Sequence, residues 1–291
     1  MKMNIGSALL LAAGLSIAGG EAWAAPIVLA NNPAPGDAYT NAGASNQGQS
    51  VGASGWFYNN VRNGGVVGIS TALPRSGNGS VSFSGNNGPG GSSYKADIEY
   101  LANGTNVGGN YFAAGSLGAF SAFTGMSYDW YRDASSTNSN VQMPSLRILL
   151  DLDGNINTTG DRGGLVYERT YNEGGAAPTN QWVSATIGSD TKLWNFGLGL
   201  GFEFDIDGDG NQYDTLAEWQ ASGRLANAVI LGFSSGVGSG WGPFSGAVDN
   251  IAWTIGGTTT STNFEVASVP EPGTWMLLGL ALAGVARRRS S

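Results

Sequence analysis

Two residue types are missing from this 291-residue chain, which contains no cysteine and no histidine. Without cysteine there is no disulfide, thiol nucleophile or thiolate-bound metal. Without histidine there is no Ser-His-Asp triad and no imidazole-ligated zinc. Charge is sparse, at 12% of residues, and leans to one sign, with 13 Lys and Arg against 21 Asp and Glu. Lys2 and Glu21 fall in the first 24 residues, and Glu271 and Arg287 to Arg289 in the last 23, so the stretch between holds nine basic and 19 acidic side chains. Such a balance argues against nucleic acid as a partner, since phosphates require a basic surface. It is compatible with divalent cations or neutral glycans. Also missing is any unbroken apolar run of the roughly 20 residues a spanning helix needs.

What is present at the two ends reads as an address. Lys2 precedes an apolar stretch from Ala8 to Ala18, and Ala22-Trp23-Ala24 has the small-x-small pattern that signal peptidase cuts. Residues 1–24 are therefore expected to be a signal helix, with Ala25 as the mature start. At the other end Val269-Pro270-Glu271-Pro272 leads into an apolar run from Thr274 to Ala286, closed by Arg287-Arg288-Arg289. As a helix that run would reach only about 20 Å against roughly 30 Å of hydrocarbon. It suits a temporary anchor whose arginines stay at the cytoplasmic face.

In this order the three parts resemble the PEP-CTERM sorting tail of bacteria that make exopolysaccharide. The resemblance implies an exosortase-type membrane protease as partner and removal of the tail, residues 269–291, near Pro270-Glu271-Pro272. It also implies a transient inner-membrane anchor and delivery of the body to the cell surface or an exopolysaccharide matrix.

The body, residues 25–268, is expected to be one all-β domain, a jelly-roll-like β-sandwich with one short helix. Glycine is 48 of 291 residues, about double the usual share of ~7%, and 30 aromatic side chains accompany it. Glycine and asparagine supply turns, aromatic and β-branched residues strands. From Ser145 to Asp153, Leu146, Ile148, Leu150 and Leu152 fall on one face. Further strands are expected at Ser80–Ser84, Leu165–Tyr171, Trp182–Ile187, Leu193–Phe196 and Asp249–Ile255, with Val229–Phe233 as a central strand covered on both sides. The Gly-Leu-Gly-Phe run before Glu203 also reads as strand. Thr215-Leu216-Ala217-Glu218 has capping-box spacing, predicting a helix of about two turns that stops at Gly223. Local disorder is expected around Asn31–Gln49 and Gly85–Ser93. Leu165-Val166-Tyr167-Glu168 after an Asp/Gly-rich loop, with Val248-Asp249-Asn250-Ile251 and Asn263-Phe264-Glu265, resembles exported proteins of this tail class with a concanavalin A-like domain. That resemblance implies a sandwich and no catalytic residue.

Three features carry candidate chemistry. Asp205, Asp207, Asp209 and Asn211 alternate through a glycine-bearing turn, like the opening of an EF-hand calcium loop, although position 12 is Leu216, so Asp214 or Glu218 would have to complete the site. Asp151, Asp153 and Asn155, with Asp161 nearby, form a weaker second copy; the alternative for both is a pair of Asp/Asn-Gly turns that need only turn chemistry. Glu203-Phe204-Asp205-Ile206-Asp207 resembles the acidic strand of laminarinase-like glucanases, but Asp207 is a methylene short and one position early for the second acid. Trp56 and Trp241 lie beside Gly- and Asn-rich loops and could stack on sugar rings. The sequence thus supports a non-enzymatic exported protein that binds glycan, with calcium as cofactor. The alternatives are a glucanase, a structural matrix protein, and an ice-binding type suggested by Thr258 to Thr262.

Overall fold

The computed structural model describes residues 25–87, 93–103 and 115–268. The expected signal helix and sorting tail lie outside the described residues, as does 88–92 of the stretch expected to be loose. Within the described residues no helix is long and apolar enough to cross a membrane.

The strands, numbered along the chain, form an 8-stranded and a 9-stranded sheet. The smaller sheet is built on β16 (Phe244–Ile255). Along one edge of β16 runs β9 (Phe123–Arg132), with β12 (Trp182–Ile187) outside it. Along the other edge β6 (Ser80–Gly85) pairs with one half and β17 (Thr258–Glu265) with the other. β5 (Val66–Ser70) and β2 (Tyr39–Thr40) extend from β6, while β1 (Ile27–Leu29) lies parallel to β17. The larger sheet runs β14 (Asp214–Thr215), β13 (Lys192–Gly197), β11 (Arg162–Tyr167), β10 (Ser145–Asp151), β15 (Val229–Gly238), β7 (Lys95–Leu101), β4 (Trp56–Arg62) and β3 (Gln47–Ser50), with β8 (Gly118–Ala119) also on β15. The body is the β-sandwich that composition and alternation predicted.

The core lies between the sheets. Leu146, Ile148 and Leu150 of β10 enter it, as their alternation required, while Leu149 joins Phe57, Leu101 and Leu231 in a separate outer cluster. Aromatic rings join the sheets: Trp56 stands 4.9 Å from Phe264 and 6.0 Å from Trp253, and Phe233 stacks 4.6 Å from Trp253. Trp56 is 2% exposed, which corrects its reading as a sugar-binding ring: it sits at an inward position of β4 and is sealed by both sheets.

Two other expectations change. Residues 31–49 are tied down rather than loose, because the Asp37 carboxylate accepts from the backbone N–H of Asn31 (2.8 Å) and Asn32 (3.0 Å) and from the Tyr58 hydroxyl. The Gly-Leu-Gly-Phe run is a turn: Gly199 and Gly201 have φ 64° and 94°, with Leu198 at 61° before them and Glu203 at 50° after, and left-handed residues recurring this closely break the extended backbone of a strand. The helix follows its sequence signal. In α1 (Leu216–Ala221) the Thr215 side chain accepts from Glu218 N at 3.2 Å, and the Glu218 carboxylate accepts from Thr215 N at 2.7 Å.

Replacing Trp56 by Ala is expected to cost about 3–5 kcal/mol, as buried Trp→Ala changes do. Urea unfolding would record this as a lower midpoint at unchanged slope. A cost below ~1 kcal/mol would contradict its place between the sheets.

Candidate functional site

The outer face of the larger sheet carries a polar patch beside its apolar outer cluster of Phe57, Leu101, Leu149 and Leu231. Period-2 alternation turns Ser145, Arg147 and Asp151 of β10 outward, opposite the inward-facing Leu146, Ile148 and Leu150. Register then aligns them across the sheet. Arg147 faces Ser234 of β15 and Val166 of β11, Val166 faces Trp194 of β13, and on the far side Ser234 faces Glu99 and Gly236 faces Asp97 of β7. A one-residue bulge in β4, with Asn59 opposite Asp97 and Arg62 opposite Lys95, puts Asn60 at φ 54°. Bulges re-aim side chains, and asparagine tolerates the left-handed region. Asn59, Asn60 and Arg62 thereby all reach the outer face, while Val61 stays in the core.

The floor of this face is a buried ionic cluster. Asp97 accepts from Arg147 Nη1 at 2.9 Å, Lys95 Nζ at 3.0 Å and Asn60 Nδ2 at 3.0 Å. Burial disfavours its charge, but Arg147 and Lys95 outweigh that and hold its carboxyl below the ordinary range. Gly236 makes room for it, since a Cβ there would lie 1.8 Å from Asp97 Oδ1. Glu99, bonded by Asn59 Nδ2, is pushed up to about 8 by burial and then by the Asp97 charge. Lys95 is lowered to about 8 by burial and by Arg147.

Above the floor is an open cleft of about 610 Å³. Asn46, Asn60, Arg62 and Lys95 line one side, Arg147 and Arg162 the base, and Glu168, Trp194, Phe196, Phe202 and Trp241 the rest. The Phe202 ring is 66% exposed and stands 5.0 Å from Trp194. Trp241, a ring singled out from sequence, does line the cleft, but it is 7% exposed and braced at 5.3 Å by Phe244. Arg62 Nη1 donates to Asn46 Oδ1 at 2.7 Å and to Asn60 Oδ1 at 3.3 Å. Sequence reasoning missed Asn60, Arg62, Lys95, Arg147, Trp194 and Phe202. The Asn-Asn pair interrupting a strand, and an arginine amid the leucines of β10, were the available signals.

The acidic residues of the first loop come together as their spacing predicted. Carboxylate oxygens of Asp205, Asp207, Asp209 and Asp214 lie within 4.8 Å of one another. Asp205 accepts from Gly208 N and Gly210 N, and Asn211 Oδ1 from Tyr213 N, while Glu218 is committed to the helix cap. Asp214, buried, is pushed up to about 6 by burial and by Asp207 and Asp205. Asp151, Asp153 and Asp161 form a second group of the same reach. Asp151 is fully buried, with Arg162 Nε at 3.5 Å. The glucanase-like run is no strand: Glu203 has a left-handed backbone and Asp205 turns its oxygens onto its own loop.

Comparison with known proteins follows this division between tail and body. Residues 268–290 match the PEP-CTERM protein-sorting motif. No curated protein matches the chain. Among solved structures the chain is similar to a family 11 carbohydrate-binding module from Clostridium thermocellum, in complex with a beta-1,3-1,4-mixed-linked tetrasaccharide. Identity is 13%, covering 78% of this chain and 98% of that one at a TM-score of 0.37. It is also similar to the CBM22-1 xylan-binding domain of Paenibacillus barcinonensis Xyn10C, at 10% identity over 74% of this chain and 95% of that one, with a TM-score of 0.32.

Asp249 of β16, like Asp214, is pushed up to about 6, chiefly by burial. A carboxyl whose folded value lies above its unfolded one takes up protons on folding, so its contribution is most favourable at low pH and declines as pH rises between the two values. For Asp214, Asp249 and Glu99 together that interval runs from about 4 to about 8. The thermal midpoint is therefore expected to be highest near pH 5 and to fall towards pH 8. A midpoint rising across that range would contradict the burial of these three carboxyls.

Proposed function

We propose that this is an exported, exosortase-processed protein of the cell surface or extracellular matrix, non-enzymatic, whose cleft binds a glycan. The observation that carries the binding reading is the pairing of an exposed ring, Phe202 beside Trp194, with the Asn46, Asn60 and Arg62 side chains across the same cleft. A sugar ring has apolar C–H faces and a polar hydroxyl edge, so it needs an aromatic platform and planar hydrogen-bonding groups at right angles to it. The cleft volume of about 610 Å³ falls in the ~300–1,000 Å³ range of ligand sites. The non-enzymatic reading is supported by the loop conformation of Glu203 and Asp205, which presents no strand-borne pair of carboxylates.

The same loop offers a reading for calcium. Asp205, Asp207, Asp209, Asn211 and Asp214 supply hard oxygen donors, and a cation there would offset four crowded carboxylates and brace the turn that carries Phe202.

Calorimetric titration against a glycan panel, in calcium and in EDTA, tests both readings. Saturable binding is expected, weaker by about tenfold in Phe202→Ala, a loss equivalent to ~1.4 kcal/mol, and weaker in EDTA. No saturable binding in either condition would remove the glycan reading, and identical affinities in calcium and EDTA would remove the role given to calcium. Processing is checked by intact mass: cells with an exosortase should yield a chain truncated near Pro270-Glu271-Pro272, and an untrimmed tail there would refute it.

A further inference from the structure

We infer that the cleft selects glycans bearing anionic groups, carboxylate or sulfate, over neutral ones. This rests on the glycan reading of the same cleft and adds the class of glycan. Of the nine basic residues in 25–268, four line this one depression: Arg62, Lys95, Arg147 and Arg162. Among the described residues Glu168 is the one acid on its walls, in a body that is acidic elsewhere. The counter-charges lie beneath the floor: Asp97 is shared between Arg147 and Lys95, and Asp151 stands beside Arg162.

Arg62 is the cation left for a ligand. Among the described residues it bonds to the amide oxygens of Asn46 and Asn60, through Nη1, and its Nε and Nη2 make no hydrogen bond. Register places it directly opposite Lys95 on the neighbouring strand. Like charges in that position are destabilising, and an anion between them reverses the sign. Burial pushes Glu99, beneath the cleft, up to about 8, so it offsets little of this positive charge near neutral pH. A guanidinium fork also matches a planar carboxylate in a way that a hydroxyl cannot.

The test uses matched pairs: polygalacturonate, polyglucuronate and alginate oligomers, each beside its carboxyl-reduced neutral counterpart, and a sulfated galactan beside its desulfated form. At least one anionic member is expected to bind ten or more times tighter than its neutral partner. That preference should shrink as salt is raised from 0.05 to 0.5 M, roughly a threefold fall in Debye length. Preference confined to the uronates identifies carboxylate as the recognised anion, and preference confined to the galactan identifies sulfate. In Arg62→Gln the preference for the anionic ligand over its neutral partner should fall about tenfold, and Arg62→Lys should recover part of that preference. Neutral glycans binding as tightly as every anionic partner, with no salt dependence, would overturn this inference and leave glycan binding standing. No binding by any member of either set would overturn both.

Discussion

Asp97 has no exposed surface, yet it lies on the outer side of a sheet, where its charge must be met by whatever the neighbouring strands supply. A buried carboxylate without partners costs several kcal/mol, and here four strands converge to prevent that. β10 contributes Arg147, β7 its own Lys95, β4 the bulge that turns Asn60, and β15 a glycine, because any larger side chain at Gly236 would occupy the carboxylate's place. One acid thus sets the register and local shape of β4, β7, β15 and β10 on their outer side. The aromatic core between the sheets stabilises the sandwich; the Asp97 cluster determines what its open face presents.

That presentation is asymmetric. The acids Asp97 and Asp151 lie beneath the floor and the cations line the cleft above them, so an acidic protein carries a basic cleft. On the far wall Trp194 and Phe202 add an apolar platform whose position depends on the left-handed turn at Leu198 and Glu203. The acidic loop following that turn closes onto α1 through Asp214 and the Thr215 cap. Loop and helix form one continuous segment with Phe202, which links that exposed ring to the clustered carboxylates of Asp205, Asp207, Asp209 and Asp214.

Much of the fold could be read from residue pattern alone. β12 has the boundaries expected for it, the β10 leucines enter the core as their alternation required, and the capping box marks the start of α1. Patterns failed where geometry depends on partners distant in sequence. Alternation says which residues share a face but not which face another layer covers, so Trp56 passed for a surface ring. Glycines spaced by apolar residues imitate a strand at 199–202, while positive φ angles make the run a turn. Asp37 orders a segment whose composition alone suggested disorder. The acidic loop was found because its residues are contiguous. The cleft was not, because its walls come from six strands and the loops between them, and only the bulge at Asn60 brings Arg62 to the rim.

The tail and the body answer different questions. The sorting motif at 268–290 concerns destination and says nothing of a ligand; the ligand reading proposed above rests on the cleft. The most direct test of the central claim, that this cleft is the glycan site, is a crystal structure of the protein with a bound acidic oligosaccharide. The account predicts a sugar ring stacked on Phe202 and Trp194 with its anionic group against Arg62. An oligosaccharide ordered elsewhere on the molecule, with the cleft free of sugar, would contradict it.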